Sequence, residues 1–324
     1  MRFVGPRAVD LSEIEVSAPN EGELLVRTTF SGISGGTEML AYRGEVDPSL
    51  PLDETLGGFG GTFSFPFQYG YSCVGEVVES RTELAEGAQV FAFHPHQELF
   101  VVSAADAVDV GGVDDRVAAL FPLVETALQV SLDAAPRLGE TVVVTGLGAV
   151  GILVSLLLRR AGARVIGSEP KAWRREAASE LGVVVAAPDE LEAAVKELTD
   201  SRGVDLVIEV SGNPSVLAES LHLLRHEGTA LVGSWYGTKV AALPLGADFH
   251  RRRLTIASSQ VSTIPSRLAG WDKARRRSVA RSLLEELPLV RLATHEFPLE
   301  AADRAYAAID QEEPGLIHAA LHYR

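Results

Sequence analysis

One cysteine in 324 residues, Cys73, leaves no partner for an internal disulfide and rules out every zinc site built from several cysteines. It sits in the strand-like run Tyr71-Ser72-Cys73-Val74-Gly75-Glu76-Val77-Val78, where a thiol reads as a buried small hydrophobe and not as a nucleophile. Basic residues are also in short supply. The 29 Lys and Arg face 44 Asp and Glu, and the resulting net charge of −15 argues against nucleic acid or an anionic membrane as a partner. The N-terminus, MRFVGPRAVDLSEIEV, has no long apolar core after a basic start, so no secretory signal is expected and the chain reads as cytoplasmic. There is no internal repeat and no low-complexity tail. The uncharged stretch Val142 to Leu158 approaches membrane-spanning length, but its glycines divide it into strand, turn and helix, so no membrane span is expected.

What is present is an ordinary globular composition, 46% hydrophobic and 23% charged, in a chain long enough for two domains. The most informative stretch is TVVVTGLGAVGILVSLLLRRAGARVIGSE, residues 141–169. Thr141 to Thr145 reads as a buried strand, and Gly146-Leu147-Gly148-Ala149-Val150-Gly151 fits G-x-G-x-x-G. A helix from Ala149 to Ala161 follows, stopped by Gly162. In such a turn the first glycine permits the tight bend, the second lets backbone approach a pyrophosphate, and the third lets helix and strand pack closely. The next strand, Ala163 to Glu169, ends in a carboxylate about 20 positions on, placed to accept from a ribose 2′-hydroxyl. Glu169 favours NAD, because a 2′-phosphate would meet like charge. Lys171, Arg174 and Arg175 keep NADP open, and Arg174 is counted with the cofactor set.

Along the chain, residues before about Val108 form short apolar runs broken by Gly, Pro and Asp, such as Glu23 to Phe30, Gly75 to Val78 and Gln89 to Phe93. That spacing suggests a small β-barrel domain. Pro48 to Gly61 reads as a surface loop or lid. Arg116 to Ala135 reads as a helical stretch, after which strands and helices alternate: helix Lys171 to Leu181, strand Val183 to Ala186, and a helix to Leu198 with a capping box of Asp189 and Glu192. Strand Val204 to Val210 precedes a helix started by Asn213-Pro214 and ending near Leu224. Strands Thr229 to Gly233 and Leu254 to Ser258 complete a six-stranded, doubly wound parallel sheet. A basic helical stretch around Lys273 to Arg277 reads as a solvated face, and strand Leu292 to Phe297, helix Glu300 to Ile309 and strand Leu316 to His322 close the chain.

In order and in motif this arrangement resembles the medium-chain dehydrogenase/reductase superfamily. Ser31-Gly32-Ile33-Ser34-Gly35-Gly36-Thr37-Glu38 is similar to its segment with a cysteine ligand and a Thr/Ser-Asp pair. Phe67 to Val77 resembles the segment that reads Pro-Gly-His-Glu before V-G-x-V, and Thr294 to Tyr306 resembles the closing strand and helix. The S-G-I-S-x-G-T-E form is similar to a branch related to bacteriochlorophyllide dehydrogenase. The resemblance implies an α/β protein with a GroES-like β-barrel catalytic domain over 1–118 and a Rossmann doubly wound domain over 119–257. The segment 258–324 then returns to the first domain. It also implies a homodimer or homotetramer, a cofactor set that adds Ser211, Gly233, Ser234, Trp235, Ser258 and Ser259, and a Gly233-to-Gly237 loop at the nicotinamide.

Ser34 stands where the family has its zinc cysteine, and Tyr71 and Ser72 stand where it has histidine and glutamate, so no zinc is expected. Glu38, Glu125, His94 and His96 are the residues that would have to improvise a site. Hydroxyl donors must then answer the charge on the reacting oxygen, with Tyr71 and Thr37 as candidates and Glu38 or His94 relaying the proton. Glu125, a charge in an apolar run, either ion-pairs or touches the reaction. The expected activity is a zinc-independent, NAD(P)-dependent oxidoreductase of a small secondary alcohol/ketone pair. A reductase of an activated C=C bond and a non-catalytic redox sensor are the alternatives.

Overall fold

The computed structural model describes residues 1–53, 55 and 59–324, so the expected loop or lid over 48–61 falls partly outside them. Its two ends are paired by Leu52 N donating to Gly61 O at 3.1 Å and Phe63 N to Leu50 O at 3.1 Å. The fold is mixed α/β and divides into two units, Met1–Pro122 with Arg277–Arg324, and Leu123–Arg276.

The first unit is built on β3 (Glu23–Ile33), whose alternating Leu24, Val26 and Thr28 are buried while Arg27 faces out. A short hairpin of β1 (Arg2–Gly5) and β2 (Ala8–Asp10) precedes it. Helix α1 (Thr37–Arg43) follows, ended by Gly44 at φ +71. Then come β4 (Cys73–Ser80), β5 (Gln89–Ala92), β6 (Leu99–Ser103) and β7 (Val108–Asp109). Helix α2 (Asp115–Ala118) is capped by Asp114 accepting from Arg116 N.

Two helices run through the unit boundaries, α3 (Phe121–Ala134) and α8 (Lys273–Glu286). In the second unit the elements are β8 (Thr141–Thr145), α4 (Ala149–Arg160), β9 (Arg164–Ser168), α5 (Ala172–Glu180), β10 (Val184–Ala186) and α6 (Pro188–Thr199). After them stand β11 (Val204–Glu209), α7 (Pro214–Ser220), β12 (Leu224–Val232) and β13 (Thr255–Ser258). The returning segment adds β14 (Ala293–Pro298), α9 (Ala302–Asp310) and β15 (His318–His322) to the first unit.

In the first unit the sheet order is β14-β15-β3-β4-β5-β7, antiparallel except for β14 with β15. One edge of β3 pairs with β4, while the other is shared, β6 over residues 23–27 and β15 over residues 30–33. The core on one side holds Phe3, Met39, Phe67, Tyr69 and Tyr306, and Cys73 packs with Leu24, Val77, Val90 and Phe100. The thiol is fully buried, and that burial raises its pKa, as suits an inert core cysteine.

In the second unit all strands are parallel in the order β10-β9-β8-β11-β12-β13. Central β8 is buried at every position, which is why its sequence runs apolar without alternation. The chain leaves β8 in one direction for β9 and β10 and in the other for β11, so the topological switch lies between β8 and β11.

Several boundaries differ from the sequence reading. Helix α6 starts at Pro188, not at a box of Asp189 and Glu192: Ala187 is the cap residue, its N–H donates to Glu190 Oε2 at 3.3 Å, and Glu192 instead pairs with Lys196 at 2.7 Å. Helix α7 stops at Ser220, and β12 absorbs Leu224 to Gly228 because Leu221, Leu223 and Leu224 are buried in a pattern that suits strand as well as helix. Residues 258–276 lie in the second unit, where Ser259 and Arg267 bond Asp133, and Arg276 bonds Glu125. The cap Asn213 accepts from Ser215 N at 3.1 Å. Asn213→Ala should therefore destabilise the second unit by about 1 kcal/mol in urea unfolding, and no change would show that the cap is dispensable.

Candidate functional site

Each unit brings together its own group of candidate residues. In the second, Thr145 ends β8 and the chain turns at Gly146, whose φ of +91 and N–H bond to Ser168 O at 2.8 Å define the bend. A Cβ on Gly146 would lie 2.6 Å from Ser211 Cα, and one on Gly151 would lie 1.8 Å from Gly146 O. Neither position admits a side chain. Gly148 is the opposite case: it caps α4 without a side-chain bond, and a Cβ there would meet nothing within 4 Å. The first amides of α4, Ala149, Val150 and Gly151, belong to the turn in which a helix has no internal acceptor to offer them. Two closed glycines thus hold an open one at a helix N-terminus, which fits a diphosphate.

Glu169, just past β9, is buried and holds this turn: Oε2 accepts from Leu147 N at 3.0 Å and Oε1 from Lys171 N at 3.1 Å. Arg174 Nη1 stands 3.7 Å from Oε2, beside the Trp173 ring, and its Nε is buried with no hydrogen-bond partner. Arg175 is committed to backbone, donating to the carbonyls of Glu169 and Pro170.

At the ends of β11 and β12, Ser211 Oγ and N both donate to Glu209 Oε1, and Ser234 Oγ accepts from Gly212 N at 2.9 Å. Gly233 N donates to Glu209 O at 2.8 Å. Trp235 is 40% exposed, and Tyr236 OH donates to Glu209 Oε2 at 2.6 Å. Ser258 ends β13 beside Val232, whereas the Ser259 hydroxyl is spent on Asp133 at 2.7 Å. Glu209 is absent from the residues singled out by sequence, because a carboxylate at the end of a buried strand carries no motif.

Glu125 is buried and receives Arg276 Nε at 3.0 Å, while Arg276 Nη1 donates to Gln129 Oε1 at 2.7 Å. Of the two readings left open for this residue, the geometry has the ion pair.

In the first unit Glu38 is completely buried. Its Oε1 accepts from Ser34 N at 2.9 Å, and its Oε2 accepts from His96 Nε2 at 2.9 Å and Tyr306 OH at 2.7 Å. Beyond the imidazole, His96 Nδ1 meets Ser31 Oγ at 2.7 Å, which meets Tyr323 OH at 2.8 Å. His96 packs against Gly70, where a Cβ would stand 2.3 Å from the ring. The next residue, Tyr71, has its phenol beside the hydroxyls of Ser34 and Thr37, and burial and the Glu38 charge raise its pKa. Thr37, Glu38 and Tyr71 are therefore neighbours. His94 is differently placed, stacked on Phe100 at 4.2 Å with Nδ1 on Pro95 O, and burial lowers its pKa to about 4 instead of leaving it near neutrality. His96 was singled out only as a residue that would have to improvise a metal site, and Ser31, Tyr306 and Tyr323 were not among the chosen candidates.

A family model described as zinc-binding dehydrogenase matches residues 149–274. D-guloside 3-dehydrogenase of Escherichia coli (strain K12) is 27% identical over 303 residues, 86% of this chain and 86% of its own. 2-Desacetyl-2-hydroxyethyl bacteriochlorophyllide A dehydrogenase of Cereibacter sphaeroides is 27% identical over 325 residues, 94% of this chain and 91% of its own. The chain is similar to zinc-binding dehydrogenases of the medium-chain dehydrogenase/reductase superfamily. Its relatives are named dehydrogenases, and it is an enzyme of that class. Its fold is also that of a short chain alcohol dehydrogenase from Escherichia coli CFT073, solved with the cofactor NADH, with a TM-score of 0.78 at 18% identity over 99% of this chain and 98% of the other.

The zinc that gives the matched family its description finds poor donors at the corresponding positions of this chain. Ser72 Oγ donates to Ala119 O at 2.7 Å, and the Tyr71 phenol is held in its protonated form. Ser34 offers only a hydroxyl, so these residues do not fit a catalytic zinc. Among the described residues no group of three or more His, Cys, Asp and Glu could hold a metal ion.

Two predictions follow from this geometry. Gly148→Ala should leave the melting midpoint unchanged but weaken NADH binding at least tenfold, whereas Gly151→Ala should lower the midpoint by several degrees. Equal effects in both, read by thermal unfolding and titration, would contradict the roles given to the two glycines. His94 and buried His318 both have pKa values lowered to about 4 from 6.5, so between those limits the unfolded chain binds more protons than the folded one. Stability should be full above pH 6.5 and fall as pH drops toward 4, and a flat profile of melting midpoint over that window would contradict it.

Proposed function

We propose that this chain is a nicotinamide-dependent dehydrogenase that interconverts a secondary alcohol and a ketone on a small polyol-like or sugar-like molecule, without a catalytic zinc. The observation that carries the reading is the open Gly148 between two closed glycines at the start of α4, with Glu169 at the end of the next strand. Relatives named as dehydrogenases of D-guloside and of a bacteriochlorophyllide hydroxyethyl group support the alcohol/ketone chemistry. A carboxylate at Glu169 repels a 2′-phosphate, so NAD is the preferred form, although Arg174 stands close enough to keep NADP in the test.

A bound nicotinamide supplies or accepts the hydride. The chain's own residues handle the oxygen. In the reducing direction the Tyr71 phenol, kept protonated by burial and by Glu38, donates its proton to the oxygen that gains charge, and a proton taken up from solvent and relayed by the partly exposed Thr37 hydroxyl restores it. The raised pKa keeps Tyr71 protonated, so that it meets a carbonyl oxygen as a hydrogen-bond donor. Glu38, with three donors already on its carboxylate, holds Ser34 and the start of α1 in place.

The test is turnover of NADH or NADPH with a panel of keto-polyols and keto-sugars, with an enone alongside, before and after dialysis against chelator. Tyr71→Phe should lower kcat on the ketone by about a hundredfold or more and leave the Kd for NADH within about twofold. Full turnover in that variant would refute the role of Tyr71. Activity lost to chelator and restored by zinc would refute the metal-free reading, and reduction of the enone alone would refute the alcohol/ketone pair.

A further inference from the structure

We propose that Glu209 is a positioning residue for the nicotinamide end of the cofactor, acting through Tyr236 and Ser211. This rests on the nucleotide reading above and adds to it a residue that touches no part of the reaction. Glu209 is the last residue of β11 and pairs in register with Thr145, the last of β8. The two therefore flank the topological switch, where doubly wound sheets bind their ligands. Its side chain is completely buried, and no lysine or arginine pairs with it among the described residues.

A carboxylate in that position is costly to bury, and the three donors that satisfy it are Ser211 N, Ser211 Oγ and Tyr236 OH. An apolar residue would fill the same core without that cost. What the carboxylate adds is a tie between two loops, the turn after β11 and the segment from Gly233 to Gly237 after β12. Two further bonds repeat the tie, Gly233 N to Glu209 O and Gly212 N to Ser234 Oγ. The turn is fixed in turn against Gly146, since no side chain fits between Gly146 and Ser211. The glycine turn and both loops therefore share one anchor. A loop held in its binding conformation before the ligand arrives loses less entropy on binding, so the anchor should be felt at the nicotinamide end and not at the adenosine end.

The experiment compares NADH with ADP-ribose, which lacks the nicotinamide, by calorimetric titration of wild type, Tyr236→Phe and Glu209→Gln. Tyr236→Phe removes one hydroxyl from a half-buried ring and should leave folding intact. It should weaken NADH about tenfold, leave ADP-ribose within about twofold, and reduce the enhancement of bound NADH fluorescence, with Glu209→Gln shifting NADH in the same direction. NADH and ADP-ribose weakening equally, or neither changing, would overturn the inference while leaving the nucleotide reading intact. A wild-type protein that binds neither ligand would overturn both.

Discussion

The second unit depends on a contact that only hydrogen permits: the Gly151 position packed against the Gly146 carbonyl, where a Cβ would come within 1.8 Å. Helix α4 can start directly over the end of β8 only because of that approach. Its first amides then lie beside the space that Gly148 leaves open, which a side chain at 148 would occupy. Glu169 fixes the same turn from the side by accepting Leu147 N. Under the proposed NAD reading, the carboxylate that would meet the ribose is thus also part of the turn's own structure, so loss of Glu169 would disturb the diphosphate end as well.

A different economy governs the first unit. The chain buries Glu38 there and surrounds it with Ser34 N, His96 and Tyr306. Hydrogen bonds to a charged group contribute about 1.5–3 kcal/mol each, enough for three of them to offset much of the desolvation of one carboxylate. The result is a rigid polar cluster that leaves Tyr71, Ser34 and Thr37 as the uncharged donors next to it. On the metal-free reading proposed above, a preorganised hydroxyl set of this kind is what answers the charge on the oxygen.

How much of this was legible in the sequence follows from the range of each interaction. The glycine turn, Glu169 and the six parallel strands are written in local patterns, and β8 and α4 appear where the pattern of residues 141–161 puts them. The Asn213-Pro214 helix start is equally local. His96 was grouped with Glu38 only as a candidate metal ligand and not as its hydrogen-bond partner, because 58 residues separate them, and Tyr306 lies 268 residues away. His94, two positions earlier in the same His-Pro-His run, has the same composition around it and faces Phe100 instead. A usable signal did exist: Gly70, at φ +103, precedes Tyr71 and makes room for an imidazole. Glu209 gave no signal, since its partners lie in loops that only the sheet order brings together.

The central claim is that the turn at Gly146, Gly148 and Gly151 holds one nicotinamide dinucleotide per chain. Equilibrium dialysis of the full chain, freed of metal by chelator, against labelled NAD measures it directly. The account predicts saturation at one NAD per chain, displaced by NADH; no saturable binding of NAD or NADP at millimolar concentration would contradict it.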